Sequence, residues 1–267
     1  MFLDAELHVA YRILNTPILN FPFPHFYVEN IFPADFYSKI QENLLEEKEM
    51  TSLANSDTAN YGLAGYKDRF VINLTKKDEM SKVEKDKQEF LRVFGKMFTK
   101  GDFSKLLRAK FKRFIDMRFQ HVENVSFYDE VRLFNDKKNY SLGPHTDKPS
   151  KVISFLIYLP KDDSQKETGT SIYMPKDPNL LDKKLPHKHY PHEHFHKITT
   201  MPFVPNSALC FIKTNNSYHG VEKLERGDTN RWSLQYNLYI TQETLNQETA
   251  AKNKNLKEQE AKSSFSI

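Results

Sequence analysis

The residues of this sequence whose types and spacing could do chemistry are two histidines and a carboxylate. His145 and Asp147 stand two positions apart in "SLGPHTDKPSK", and this spacing sends both side chains to one face of an extended strand. His219 follows the apolar segment "ALCFIKT". Two imidazoles and one carboxylate on one face can bind iron(II) and leave coordination positions open for other ligands. A pair such as His145 and Asp147 by itself more often serves surface hydrogen bonding, so the metal hypothesis depends on His219.

An arginine follows the second histidine at a spacing that suits an anion site. Arg231 comes twelve residues after His219, and Ser233 is the next residue but one. If His219 begins one strand and Arg231 lies on the next, the guanidinium can point inward and bind a carboxylate through two parallel hydrogen bonds. A closed structural metal site does not need such a cation. Arg231 therefore distinguishes an enzyme from the alternative, a non-catalytic jelly-roll module that binds a metal or a sugar.

Short strands in the second half of the chain are needed to bring these residues together. Segments dense in β-branched and aromatic residues, separated by Pro, Gly, Asn and Asp, are typical of strands. They cover residues 125–136, 151–160, 170–175, 208–214 and 232–241. Several such strands in succession predict an antiparallel sandwich or barrel, and the helical patterns that precede them make the fold class α+β with a jelly-roll core.

The first part of the chain is predicted to be mainly helical. Residues 1–30 contain three prolines and are expected to form an extended lead-in with a strand around Phe26 to Val28. Pro33 and Asp35 are helix entry signals, and apolar spacing predicts another helix within residues 80–111. The chain then divides into helical support over 1–120, a β core over 121–242 and a polar C-terminal tail, a helix or frayed end, over 243–267.

Composition limits the function classes. The 39 basic and 35 acidic residues are interspersed along the 267 positions, so no basic stripe indicates nucleic-acid binding. A single cysteine, Cys210, excludes an internal disulfide and fits a reducing compartment. No apolar segment approaches the ~20 residues that span a bilayer, and acidic residues interrupt the N-terminal segment where a signal peptide is apolar. These features predict a soluble, cytoplasmic protein without a membrane or nucleic-acid partner.

The order of His145, Asp147, His219, Arg231 and Ser233 resembles the iron(II)- and 2-oxoglutarate-dependent oxygenases, and within them the prolyl 4-hydroxylase-like branch. The resemblance covers roughly residues 125–242, and it is specific for the superfamily but not for the substrate. It implies a double-stranded β-helix, or jelly roll, in which His145, Asp147 and His219 bind iron(II). The distal carboxylate of 2-oxoglutarate would pair with Arg231 and Ser233.

Four further positions can be compared with the corresponding positions of related enzymes. Tyr158 stands where related enzymes place a tyrosine that hydrogen-bonds the same distal carboxylate, although an ordinary core tyrosine is an equal alternative. Asn135 stands where relatives commonly have a tyrosine near the cosubstrate, which leaves open what contacts the other end of 2-oxoglutarate. Gly169 and Thr170 resemble a variant of the family's Gly-Gly-x-Thr turn.

The reaction that the resemblance implies is hydroxylation of an unactivated C–H bond. O2 and 2-oxoglutarate are consumed, succinate and CO2 are released, and ascorbate is a supporting reductant. Asp147 favours hydroxylation over halogenation, because related halogenases replace this carboxylate with a small residue. The substrate, a small molecule or a protein residue, stays open at this point.

A histidine-rich tract remains outside this scheme. Residues 187–196 contain five of the ten histidines, but Pro186 and Pro191 interrupt regular structure, so adventitious metal affinity or surface display is favoured over a dedicated site. Long segments between elements often border a substrate site. We expect residues 176–200, with the loop over 51–66, to border the substrate entrance.

Overall fold

Eleven strands in two sheets form the framework of the part of the chain that the computed structural model describes, residues 1–55, 66–99, 102–180 and 189–264. In chain order they are β1 His25–Glu29, β2 Thr51–Ser52, β3 Arg69–Asn73, β4 Phe127–Asp136, β5 Leu142–His145, β6 Lys151–Tyr158, β7 Ser171–Pro175, β8 Phe195–Thr200, β9 Ser207–Ile212, β10 His219–Val221 and β11 Arg231–Ile240. All neighbouring strands are antiparallel.

The strand order confirms the predicted double-stranded β-helix. The larger sheet has seven strands in the order β1-β9-β6-β11-β4-β3-β2, and the smaller has four in the order β5-β10-β7-β8. From β4 onward the chain passes repeatedly between the two sheets: β4, β6, β9 and β11 belong to the larger one, and β5, β7, β8 and β10 to the smaller one. This winding of antiparallel strands is a jelly roll, so the predicted α+β class is confirmed as well.

The five strands predicted from residue composition are all present, and a strand also covers Phe26 to Val28. The strands without a composition signal are short or rich in polar residues. β5 reads "LGPH" and β10 reads "HGV", and in β8 four of six residues are exposed. β8 begins at Phe195, so the histidine tract enters a regular strand despite Pro191. Pairing with neighbouring strands stabilises these segments, and composition does not report such pairing.

Seven α-helices accompany the sheets in the described ranges. They are α1 Phe2–Asn15, α2 Ala34–Glu42, α3 Lys77–Met80, α4 Lys85–Thr99, α5 Phe103–Lys110, α6 Lys112–Phe119 and α7 Gln242–Ser264. α2, α4 and the helical tail α7 match the predictions. Among these described helices, none combines the length and the apolar character that a membrane span requires.

The expected extended lead-in at the N-terminus is wrong, because residues 2–15 form α1. The prolines that argued against a long helix begin only at Pro17, beyond the end of this one. Ala5, Val9 and Ile13 recur every four residues and are buried on one face, which is the pattern of an amphipathic helix. Residues 1–120 also contribute β1, β2 and β3 to the larger sheet.

Aromatic side chains join the helices to one face of the larger sheet. The Phe103 ring lies 4.8 Å from the Tyr236 ring, 4.9 Å from the Phe98 ring and 5.5 Å from the Phe155 ring, measured between centroids. Successive residues of a strand point to opposite faces. The helices therefore cover one face, and residues on the other face are free to line the space between the two sheets.

Gly169 packs directly against the backbone that precedes β9. A Cβ at this position would lie 1.6 Å from the carbonyl oxygen of Met201. Gly169→Ala is expected to lower the free energy of unfolding by about 3 kcal/mol, because the backbone must shift to accept the methyl group. Urea denaturation measures the change.

Gly227→Ala is the matched control for this prediction, because nothing lies within 4 Å of a Cβ at Gly227. Its free energy of unfolding should stay within about 0.5 kcal/mol of the unmodified protein. Equal stability of the two variants would show that the contact at Gly169 relaxes without cost.

Candidate functional site

The three predicted metal-binding residues meet at one end of the smaller sheet. His145 ends β5 and is the register partner of His219 at the start of β10, with ring centroids 4.4 Å apart. Asp147 lies two residues beyond the end of β5, and its Oδ2 is 4.0 Å from Nε2 of His219. One donor atom from each of the three residues lies within 4.8 Å of the others, and all three side chains are buried.

Backbone carbonyl groups orient both imidazoles. Nδ1 of His145 lies 3.0 Å from the Gly143 oxygen, and Nδ1 of His219 lies 2.9 Å from the Ser217 oxygen. A carbonyl oxygen only accepts, so each Nδ1 carries the proton and each Nε2 keeps a lone pair. This arrangement is typical of histidine metal ligands. Two imidazole nitrogens and a carboxylate oxygen are donors that fit iron(II).

Electrostatics favours the protonation states that a metal requires. Burial lowers the pKa of His145 well below its usual value, and neighbouring His219 and His189 lower it further. The imidazole is therefore neutral at neutral pH. Burial opposes ionisation of Asp147, but the nearby Lys151 and His219 hold its pKa well below the usual range. The site thus presents a neutral His145 imidazole and an ionised Asp147 carboxylate.

Two side chains hold the Asp147 carboxylate. Nζ of Lys151 lies 2.8 Å from Oδ1, and Oγ of Ser154 donates to Oδ2 at 2.8 Å. The Lys151 side chain is only 13% exposed, so it is a buried partner of Asp147 and not a surface charge. Because the ammonium occupies Oδ1, the oxygen that faces His219 is Oδ2.

The ion pair between Lys151 and Asp147 makes a prediction about stability. Lys151→Met is expected to destabilise the metal-free protein by about 2 to 3 kcal/mol, because a buried carboxylate loses its partner. A bound divalent cation supplies a new partner, so saturating Mn(II) should raise the melting temperature of the variant more than that of the unmodified protein. Thermal denaturation with EDTA and with Mn(II) measures both effects.

Lys148→Met is the control, since Nζ of Lys148 lies over the Tyr239 ring, 4.5 Å from its centroid. Identical stabilities and identical responses to Mn(II) in the two variants would contradict the role given to Lys151.

The predicted anion-binding residues line the same cavity as the metal cluster. This cavity, of about 160 Å³, is bordered by His145, Asp147, His219, Arg231, Ser233 and Tyr158. Tyr158 of β6 and Ser233 of β11 are register partners, and Arg231 begins β11. Alternate residues of β11 face the cavity because side chains alternate along a strand. The fold therefore brings together all six residues that the sequence singled out.

Arg231 already has protein partners on two of its three nitrogens. Nε donates to the Thr168 carbonyl oxygen at 2.6 Å, and Nη1 donates to Oδ2 of Asp136 at 2.8 Å. Nη2 makes no hydrogen bond to the residues that the structure describes. Only two of the five guanidinium N–H groups are therefore used by the described residues, and one on Nη1 and both on Nη2 remain for a ligand.

Two hydroxyl groups near Arg231 have hydrogen bonds to give. The buried Ser233 Oγ finds no partner among the described residues. The Tyr158 hydroxyl accepts from the Thr170 amide at 3.2 Å, and its own proton is not donated within the described ranges. Burial raises the pKa of Tyr158, so the phenol keeps this proton. A buried hydroxyl without a partner is costly, and an anion in the cavity would satisfy both groups.

The two faces of the larger sheet have different roles: one lines the cavity, and the other packs against the helices. Leu156 and Phe211 line the cavity, whereas Phe155 and Trp232 pack in the core that the helices cover. Asn135 is the register partner of Trp232, on that same helix-facing side. It is therefore not placed to replace the cosubstrate tyrosine of relatives.

Sequence reasoning missed Arg69 and Asp136. Arg69 begins β3 and lines the cavity, and its only sequence signal is the apolar run "FVINL" that follows it. The His189 ring lies 4.5 Å from the His145 ring between centroids. The tract predicted to border the entrance thus reaches the cavity at His189, and the other loop reaches it at Tyr66. Many of the other residues that were expected to border the substrate entrance are residues 56–65 and 181–188, which lie outside the described ranges.

Comparisons with known proteins give structural similarity alone. No protein-family model matches the chain, and no curated protein matches it. Among solved structures, a 2OG-Fe(II) oxygenase family oxidoreductase from Burkholderia pseudomallei is 12% identical, with 88% of this chain and 89% of that chain covered and a TM-score of 0.43. A prolyl-4-hydroxylase from Pseudomonas putida is 12% identical, with 89% and 99% covered and a TM-score of 0.45.

A third solved structure is a Trichoplax adhaerens prolyl hydroxylase in complex with a peptide fragment of the hypoxia inducible factor oxygen degradation domain. It is 12% identical, with 90% of each chain covered and a TM-score of 0.44. The fold assignment rests on the strand order of this chain and not on these likenesses, whose identities and TM-scores are low.

Proposed function

We propose that this chain is an iron(II)- and 2-oxoglutarate-dependent dioxygenase that hydroxylates an unactivated C–H bond. The observation that carries the proposal is one cavity, lined by buried side chains, that contains both the His145, Asp147 and His219 cluster and an arginine with adjacent free hydroxyl donors. The first set fits iron(II). The second fits the distal carboxylate of 2-oxoglutarate.

His145 and His219 would bind iron through Nε2, because each Nδ1 is held by a backbone carbonyl oxygen. Asp147 would bind it through Oδ2, while Lys151 holds Oδ1. When bound together, iron(II) and 2-oxoglutarate supply the oxidising chemistry that consumes O2, releases succinate and CO2 and hydroxylates the substrate. Asp147 fills the position that halogenases leave open, which supports hydroxylation.

The distal carboxylate would accept hydrogen bonds from Nη2 of Arg231, Oγ of Ser233 and the Tyr158 hydroxyl. These donors stand on paired strands of the larger sheet, so their positions are set before the ligand binds. Leu156 and Phe211 supply apolar wall, which excludes water and strengthens the electrostatic interactions in the cavity.

The test is an anaerobic titration of the protein with iron(II) and then 2-oxoglutarate, followed by visible absorbance. A weak charge-transfer band is expected when 2-oxoglutarate chelates the iron, and admission of O2 should then release succinate. A protein that binds iron but shows neither the band nor succinate would instead support the alternative, a non-catalytic jelly-roll module that binds a metal or a sugar.

The proposals on substrate class, location and domain division rest on the composition of the sequence and on the order of its elements. The substrate would be a small molecule or a peptidyl residue rather than a nucleic acid, because charges of both signs are interspersed. A single cysteine supports a reducing location such as the cytoplasm, with ascorbate as a supporting reductant. We also propose that residues 1–120 support the core, that residues 121–242 form the catalytic core and that residues 243–267 form a tail.

A further inference from the structure

Three charged residues form a ladder of ion pairs across three neighbouring strands behind the anion site: Arg69, Asp136 and Arg231. Arg69 of β3 is the register partner of Asp136 of β4, which is in turn the register partner of Arg231 of β11. Nε of Arg69 lies 3.2 Å from Oδ1 of Asp136, and Nη1 of Arg231 lies 2.8 Å from Oδ2. One carboxylate is therefore shared by two guanidinium groups.

The ladder carries a net positive charge. Arginine is always ionised in proteins, so two guanidiniums and one carboxylate sum to one excess cation. All three side chains are buried, and Asp136 is completely so. Within the described ranges the other contacts of Arg69 are neutral: its Nη1 donates to the Tyr140 hydroxyl, and its guanidinium carbon lies 4.0 Å from the Phe134 ring centroid.

Among the described residues, Asp147 is the acid that lines the cavity, and it does not cancel this charge. Asp147 is paired with Lys151 at 2.8 Å, so that pair is neutral by itself. An excess charge buried away from water is unfavourable unless a ligand of opposite charge completes it. The ladder therefore favours an anion next to Arg231.

We propose that Arg69 is a specificity-determining residue of this cavity, which makes it select ligands with a second carboxylate. Without Arg69, Asp136 would neutralise Arg231 and the anion site would have no excess charge. With Arg69, Asp136 is shared, and Arg231 keeps a positive charge for a dicarboxylate such as 2-oxoglutarate. Arg69 acts through Asp136. This inference rests on the proposed function and deepens it.

The test compares two 2-oxo acids that share the metal-chelating end and differ in the distal carboxylate. 2-Oxoglutarate and 2-oxobutanoate are titrated by calorimetry into Mn(II)-loaded protein without O2. Arg69→Gln is expected to raise the Kd for 2-oxoglutarate by about tenfold or more, which corresponds to about 1.4 kcal/mol. The Kd for 2-oxobutanoate should change by less than about threefold, since it carries no distal charge.

A charge-compensated variant separates charge from structure. In the double variant Arg69→Gln with Asp136→Asn, Arg231 again supplies one excess cation, so the preference for 2-oxoglutarate should return. If the single variant does not fold, the double variant still tests the inference, because loss of its preference for 2-oxoglutarate would overturn it. Arg226→Gln is the exposed control, since Arg226 pairs with Asp228 at the surface.

The outcomes separate this inference from the function on which it rests. An Arg69→Gln variant that weakens both acids equally, or weakens neither, overturns the role of Arg69 and leaves the oxygenase proposal intact. A double variant that binds 2-oxoglutarate no better than Arg69→Gln also overturns it. If the unmodified Mn(II)-loaded protein binds no 2-oxoglutarate, the proposed function fails, and this inference fails with it.

Discussion

Replacing Asp147 with alanine is expected to abolish succinate formation and to weaken Co(II) binding by more than about 100-fold. Removing a residue that only orients a metal ligand typically costs 10- to 100-fold in affinity, and loss of a ligand should cost more. Asp147 supplies the negative charge of the cluster, because both imidazoles are neutral when they bind a metal. Absorbance of bound Co(II) and succinate release after addition of O2 measure the two effects.

The same substitution leaves the Lys151 ammonium buried beside an empty position, so reduced stability must be separated from lost metal binding. Asp147→Ala combined with Lys151→Met removes both charges and should recover stability without recovering Co(II) binding. Asp163→Ala, at an exposed position, is the matched control. Retention of the Co(II) spectrum in Asp147→Ala would contradict the proposed ligand set.

Replacing Arg231 with leucine is expected to weaken 2-oxoglutarate binding by at least about 30-fold. Truncating one partner of a buried, hydrogen-bonded charge pair typically costs 2 to 5 kcal/mol, and each 1.4 kcal/mol is tenfold in Kd. The folded structure should persist, because Asp136 keeps its ion pair with Arg69. The charge-transfer band of the iron chelate, followed against 2-oxoglutarate concentration, gives the affinity.

Metal affinity distinguishes a lost anion site from a general disruption of the cavity. Arg231→Leu should bind Co(II) as tightly as the unmodified protein, since Arg231 contacts Thr168 and Asp136 rather than the metal cluster. Arg226→Leu removes an exposed arginine and should leave both affinities unchanged. Equal 2-oxoglutarate affinities in the two variants would show that another group binds the distal carboxylate.

The donor set could be predicted because its signals are local. The two-residue spacing of His145 and Asp147 can be read directly from the sequence, and so can the arginine that follows His219. Each motif lies next to a segment whose composition is typical of a strand. The long strands β4, β6 and β11 were predictable for the same reason, since a run of β-branched and aromatic residues identifies a buried strand. Arg231 was predicted from its place after His219, whereas the roles of Ser233 and Tyr158 came from the resemblance to the oxygenases.

Contacts that depend on chain turns and strand register could not be predicted. Whether Lys151 points to solvent or to Asp147 depends on how the chain turns after β5, and the lysine itself gives no sign of it. Asn135 illustrates the same limit. Counting residues back from His145 placed it near the cosubstrate, but the register with Trp232 turns it to the helix-facing side.

The sequence by itself determined which donor atoms this protein can offer to a metal and an anion, because residue type and strand spacing decide that chemistry. Only the tertiary structure decided which charged side chains these donors contact. Asp136 meets both Arg69 and Arg231 because β4 lies between β3 and β11 in the larger sheet. The physical reason is that interactions between buried charges depend on distances across strands, and these distances exist only once the strands are paired.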